Sequence, residues 1–444
     1  MSKKDRYQSR MQKIILSCDG FTTAYFVMIL LGFIVYAARF SQEIPSAFSA
    51  VACLLPFVLM PVFYSVVHRY SPLIFGRYHL IMPVSAIVAA VFFVLMFGAT
   101  SGGAGDSCKI FFGATIFAIA ILLYRYCSFS VRARLSRDSV ARPSVQSMCF
   151  SAAGAVCAVG VFCGFYVYDG DAAFMNTAYV LGAACIILAL IQYFATFYEI
   201  PRLGGKRIQS VKSVYRAFYD GLNKRTYFSA LLFECAFILS AALLPLFSLS
   251  RGVPYRYVAV ISAVFVATFC GVMLFCSLKI KRRSKMLSIT ATLCFIASAT
   301  LCVLAYVLKL GVALGTGVLA ISAVLTALGG AVAMRQTRLR FLTVKKTVTS
   351  GTVFILLELT VYAAAACAAI VATCLVVISD VTGVNALIYG FAAAALLAIA
   401  ALITASKKSV RSEAIPELSY ELSAEELTVA SNKPDRADDN ADKA

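Results

Sequence analysis

"EIPRLGGKRIQSVKSVYRAFYDGLNKRT", residues 199–226, is the longest hydrophilic stretch in the interior of an otherwise apolar chain. It decides the fold because it separates two equal sets of hydrophobic segments. Before it lie candidate membrane spans at 16–39, 46–67, 80–99, 110–131, 146–168 and 173–197. After it lie 226–248, 257–279, 286–308, 311–334, 350–378 and 383–405. Each approaches the roughly 20 apolar residues that cross a bilayer, where only an element that bonds its own backbone can stand. Composition agrees: the chain is 61% hydrophobic and 14% charged, against roughly 45–50% and 25% in soluble domains. Twelve spans are expected. Charge or small residues punctuate the fourth and fifth, which leaves ten or eleven open. Within the dividing stretch, Val211, Val214, Tyr215, Phe218 and Leu222 fall at helical spacing with lysine and arginine opposite. That is the pattern of a helix lying on the membrane surface. The expected fold is an all-α polytopic membrane protein of two six-helix bundles. Residues 1–198 form the N-terminal bundle, 199–225 a cytoplasmic linker, 226–408 the C-terminal bundle and 409–444 an acidic disordered tail.

A net charge of +19 in a soluble protein would point to nucleic acid. Here placement explains it. With the N-terminus inside, the membrane-proximal cytoplasmic segments hold 32 lysines and arginines, whereas the outer loops hold five: Arg39, Lys109, Arg251, Arg256 and Lys309. This asymmetry is the positive-inside bias, and it predicts both termini in the cytoplasm. No basic surface is left over for a nucleic-acid partner. Nearly all of the 15 cysteines fall inside apolar runs; Cys108, in an expected outer loop, has no companion there, so no disulfide framework is implied. Only two histidines exist, His68 and His79, and no ligand spacing around them suggests a metal. No motif calls for a cofactor, and no phosphate-cradling loop or nucleophilic triad marks an enzyme.

An ionisable residue inside a bilayer is expensive and is a site hypothesis by default. Four qualify: Asp19, Arg125, Glu234 and Glu358. Asp19 lies six residues past Lys13 and Arg125 seven before Arg132, so both sit about 10 Å inside the cytoplasmic edge at 1.5 Å per residue. Matching depth and opposite sign suit an ion pair. Two readings of Arg125 stand: its long stem snorkels or pairs structurally, or it faces the solute cavity. Glu234 and Glu358 are too short to snorkel far. Each is either a protonatable coupling site or a neutral acid bonding a neighbouring helix. Tyr124, Tyr126 and Tyr362 could stack a substrate ring. Gly311, Gly315, Gly317, Gly329 and Gly330 in the tenth span permit close helix contact.

The loop "LSRDSVAR", Leu135–Arg142, resembles the loop after the fourth span in the glycoside–pentoside–hexuronide:cation symporters, the melibiose permease type within the major facilitator superfamily. That loop reads roughly Leu-Thr-x-Asp-x-x-x-Arg, matched here by Leu135, Ser136, Asp138 and Arg142. "HRYSPLIFGRYH" resembles the superfamily's loop after span two, keeping Arg69, Gly76 and Arg77 but carrying His68 for the usual aspartate. "LNKRTYFSALLF" and "SGTVFILLELTVYAAAA" are similar to the family's starts of spans seven and eleven. The resemblance implies a gate latched by Asp138 and Arg142 with Arg69, Gly76 and Arg77, and a substrate site that includes Asp19. Arg125 stands near the position where the family has an acid. The family's sodium-binding acids in span two are absent from "LLPFVLMPVFYSVV".

The expected function is secondary active transport of a small solute, glycoside or organic anion, by alternating access. Asp19, Arg125, Tyr126 and Tyr362 would contact substrate, and Glu234 or Glu358 would carry a proton if transport is coupled. The expected partners are that solute and membrane lipids, and the expected state is a monomer. A lysolipid or amphipathic substrate, or a receptor or scaffold without transport, are the other readings.

Overall fold

The apolar runs fold as helices. The computed structural model describes residues 80–97, 104–135, 171–196, 224–279, 285–342, 350–382 and 385–406. Nine helices lie among the described residues: α1 (Ile81–Phe97), α2 (Ala104–Leu135), α3 (Asp171–Thr196), α4 (Lys224–Ser250), α5 (Tyr255–Lys279), α6 (Lys285–Val307), α7 (Val312–Leu342), α8 (Ser350–Thr382) and α9 (Leu387–Ser406). They fall on the third, fourth, sixth and seventh to twelfth expected spans. No strand occurs among the described residues. Expected spans one, two and five, the amphipathic linker and the acidic tail lie outside them.

Among the described residues, five stretches can each cross a membrane by length and composition: Tyr227–Ser250, Arg256–Cys276, Lys285–Val307, Val312–Thr337 and Leu387–Ala405. Shorter apolar helical stretches run Ile81–Met96, Phe112–Arg125, Ala178–Phe194 and Ala363–Ser379. Large apolar side chains are exposed on their outer faces, among them Phe194, Phe275, Leu314, Val381 and Leu396. Water would penalise such a surface, whereas lipid tails solvate it.

In the C-terminal half, α4 is the hub. It packs against α7, α8 and α9 and touches α5 and α6. Leu243 and Phe247 are fully buried in its interior, and Phe247 meets Phe391 of α9 edge-on at 5.7 Å. Hydroxyls join the helices where lipid offers no alternative partner: Ser229 Oγ donates to the Ala401 carbonyl at 2.9 Å, linking α4 to α9. In the N-terminal half α1 packs against α2 and α3. The two halves meet where α2 touches α8.

The turn between α4 and α5 shows how the chain ends a helix. Val253 N bonds the Ser248 carbonyl at 3.1 Å and Gly252 N the Leu249 carbonyl at 2.9 Å, with Gly252 at φ 70°. This is the Schellman ending, which needs a left-handed residue. The α6 end repeats it: Leu310 N bonds the Ala305 carbonyl, Lys309 N the Tyr306 carbonyl, and Lys309 adopts φ 47° without being glycine. Arg251 spans the two turns. Its Nη2 donates to the carbonyls of Ala305 at 3.3 Å and Leu310 at 3.2 Å, so a cation sits at the negative end of α6.

Candidate functional site

Glu234 lies ten residues beyond Lys224 on α4, about 15 Å along the helix, and is 2% exposed. Its neighbours define its direction. Cys235 turns to α8, where its Sγ donates to the Ala364 carbonyl at 3.9 Å. Phe237 turns to α7, against the bare backbone of Gly330, and stacks on Phe269 of α5 at 5.2 Å. At 100° per residue, Glu234 falls in the sector of α4 between α8 and α7. One turn and more toward the start of α4, Tyr227 shares a hydrogen bond with Thr360 of α8. The carboxyl thus stands on the most enclosed helix of the C-terminal half, beside a polar seam shared with α8.

Arg335 is the residue that sequence reasoning missed. Counted with the basic loop after span ten, it instead lies within α7 and is 3% exposed. Gln336 and Thr337 follow it, each 1% exposed. Three consecutive buried residues point in three directions, so this end of α7 is enclosed all round. The Arg335 guanidinium lies near enough to Cys276 of α5 to act on it electrostatically. A signal was present: Ala323, Ala327 and Ala331 are fully buried at a spacing of four, and Arg335 is the next position on that face.

Arg125 sits on α2 and is half-buried. Beside it Tyr124 is fully buried and accepts a hydrogen bond at 2.8 Å from Nε2 of Gln192 on α3. That bond fixes the rotation of α2, and Arg125 emerges 100° from the Tyr124 face. Tyr126 lies on α2, while Glu358 and Tyr362 lie on α8. The α2–α8 contact therefore brings together the helices that carry all four residues. Asp19, Arg69, Gly76, Arg77, Asp138 and Arg142 lie outside the described residues. Among the described residues no group of three or more His, Cys, Asp or Glu has the arrangement of a metal site.

In a low-dielectric interior a carboxyl can bind and release a proton, and a guanidinium, which keeps its charge, can bond a polar solute more strongly than in water. Length, the helical topology and the lipid-facing exterior define a multi-pass integral membrane protein. Its all-helical fold is similar to that of a transporter of known structure. A crystal structure of a point mutant of the nucleoside transporter NupG superposes with TM-score 0.63 at 14% identity, covering 89% of this chain and 98% of that one. A second crystal structure of NupG gives TM-score 0.62 at 14% identity, covering 90% and 100%. At that identity the likeness is one of fold. No protein-family model matches the chain, and no curated protein matches it.

Proposed function

We propose that this chain is a secondary transporter that moves a small glycosidic solute of nucleoside type across the membrane by alternating access. The supporting observation is a likeness of fold to a nucleoside transporter along nine-tenths of the chain, with a carboxyl buried in the hub helix of one bundle. A nucleoside is an N-glycoside, so its sugar falls within the glycoside class that the loop Leu135–Arg142 suggests.

In this reading the two bundles, 1–198 and 226–408, rock about a central site with both termini in the cytoplasm. Asp19, Arg125, Tyr126 and Tyr362 contact the solute. Asp138 and Arg142, with Arg69, Gly76 and Arg77, latch the inward gate. Glu234 or Glu358 carries the coupling proton, since burial favours the neutral acid and each rocking step can change its exposure. Arg335 adds a buried cation to the half-buried Arg125, and this favours an organic anion as the second solute class. The chain works as a monomer.

The test is uptake into proteoliposomes of labelled uridine, adenosine, a galactoside and a hexuronate, with and without an inward proton gradient. Saturable nucleoside uptake raised by the gradient is the expected result. Glu234→Gln should then lose accumulation above the outside concentration while keeping exchange of internal for external solute. Hexuronate uptake alone would replace the nucleoside reading with the anion reading. Binding of any of these without uptake would make the chain a receptor with a transporter fold.

A further inference from the structure

Four side chains fix how α4 is turned within its half. Ser229 and Phe247 face α9, Cys235 faces α8 and Phe237 faces α7. The remaining side, opposite α9, carries Tyr227, Leu231, Glu234, Ile238 and Ala241, which at 100° per residue fall within about 80° of one another. Tyr227, Leu231, Ile238 and Ala241 are half-buried, whereas Glu234 is enclosed. This is not the exposure of a lipid-facing surface, where Phe275 and Leu396 are 61% and 65% exposed. The side lies between α7 and α8, and α8 is the helix that touches α2 of the other half. α4 thus presents the wall of a cleft toward the N-terminal half, and the cleft narrows at Glu234. Leu231 stands about 4.5 Å before Glu234 along the helix axis and Ile238 about 6 Å after it, so aliphatic surface flanks the carboxyl on both sides.

We propose that this wall binds the base of a nucleoside and that Glu234 reads the edge of that base, a specificity that rests on the nucleoside reading above and deepens it. A base has two apolar faces and an N–H on its rim, at N3 in uridine and on the exocyclic amine in adenosine. Leu231, Ile238 and Ala241 offer aliphatic surface to one face of the ring. A carboxyl oxygen of Glu234 accepts the N–H. Such a site has the usual make-up for a small molecule, mostly apolar with a few placed polar groups. A hexose or hexuronate suits it less, because hydroxyls ring its perimeter and those set against Leu231 and Ile238 find no partner. An enclosed acceptor also rejects an analogue that lacks the N–H, since its oxygen is then left without that donor. Protonated or ionised, Glu234 keeps an oxygen that accepts, so edge reading and proton carriage are compatible in one residue.

The test is equilibrium binding of labelled uridine and adenosine to the full chain in lipid nanodiscs. The competitors are the parent nucleosides, N3-methyluridine and N6,N6-dimethyladenosine, the last two lacking the N–H. The methylated analogues should compete about ten-fold or more weakly than their parents. Glu234→Gln keeps an acceptor oxygen and should preserve that preference. Glu234→Leu should abolish it, by weakening the parents to the level of the analogues. Ala241→Phe fills the wall and should weaken uridine by about ten-fold or more, whereas Leu396→Phe, on a lipid-facing surface, should leave it unchanged. The thermal transition of each variant reports that it folds. Equal competition by parent and methylated nucleosides in the wild-type chain would overturn the edge reading and leave the nucleoside reading intact. Binding of neither nucleoside would overturn both. That comparison needs no variant, so it decides even where Glu234→Leu fails to fold.

Discussion

Lys309 and Gly252 hold the same place in two equivalent helix endings, yet only one is glycine. A non-glycine residue in the left-handed region crowds its Cβ against the backbone, at a cost of roughly 1 kcal/mol. Lys309→Gly should therefore raise the thermal transition of the purified protein slightly, by about 0.5–1 kcal/mol of stability, because relief of strain outweighs the added unfolded-state entropy. Arg251→Ala should act in the other direction. It strips two charge-assisted bonds from the carbonyls of Ala305 and Leu310 and should cost about 1–2 kcal/mol, read as a lower transition. At Gly330 a methyl group would overlap the Phe237 ring, which cannot swing away freely because it is stacked on Phe269. Gly330→Ala should cost about 1–3 kcal/mol. The double variant Gly330→Ala with Phe237→Ala should fall short of the sum of the two losses, which would locate the clash in that pair.

Between elements, the bonds that matter are short and few. α6 and α7 are joined by a hydroxyl cluster: Ser298 Oγ lies 2.7 Å from both Ser322 Oγ and Thr326 Oγ1, and Cys302 Sγ lies 3.1 Å from Ser322 Oγ. Ser298 is the centre of that cluster. Ser298→Ala should cost about 1 kcal/mol, and adding Ser322→Ala should cost less than its value alone, since the pair acts as one unit. The existence of these helices was legible in the sequence, because each apolar run must bond its own backbone in lipid. Their packing was not. α7 continues from the apolar run through Arg335 to Leu342, although the hydropathy of "RQTRLRFL" argues for a loop. Helix formation there is driven by burial of Arg335, Gln336 and Thr337 against neighbours that a linear scan of the chain cannot supply. Arg335→Ala should accordingly cost about 1–3 kcal/mol, more than a loop arginine would, because it empties a buried volume packed by the side chain. Loss of cooperative unfolding, or of detergent-stable protein, is the measurement.

At the scale of the whole molecule, hydrophobicity was enough to define an all-helical, multi-pass integral membrane protein, because a bilayer imposes length and internal hydrogen bonding on any chain that crosses it. The individual ionisable residues Arg125, Glu234 and Glu358 could also be singled out from the sequence, since each interrupts a run where charge is costly. What surrounds Glu234 was settled by tertiary structure alone. Glu234 was visible as an acid in an apolar run, but its place between α7 and α8 follows from where Cys235 and Phe237 point. Tyr124 looked like one of three interchangeable tyrosines, and proves to be fully buried and bonded to Gln192, 68 positions away. The sequence by itself determined which segments enter the membrane, because that is a free-energy balance each segment settles with the lipid. Only the tertiary structure decided which faces meet, because lipid tails solvate apolar faces about equally, and the choice among them rests on small residues, hydroxyl pairs and close packing between distant parts of the chain.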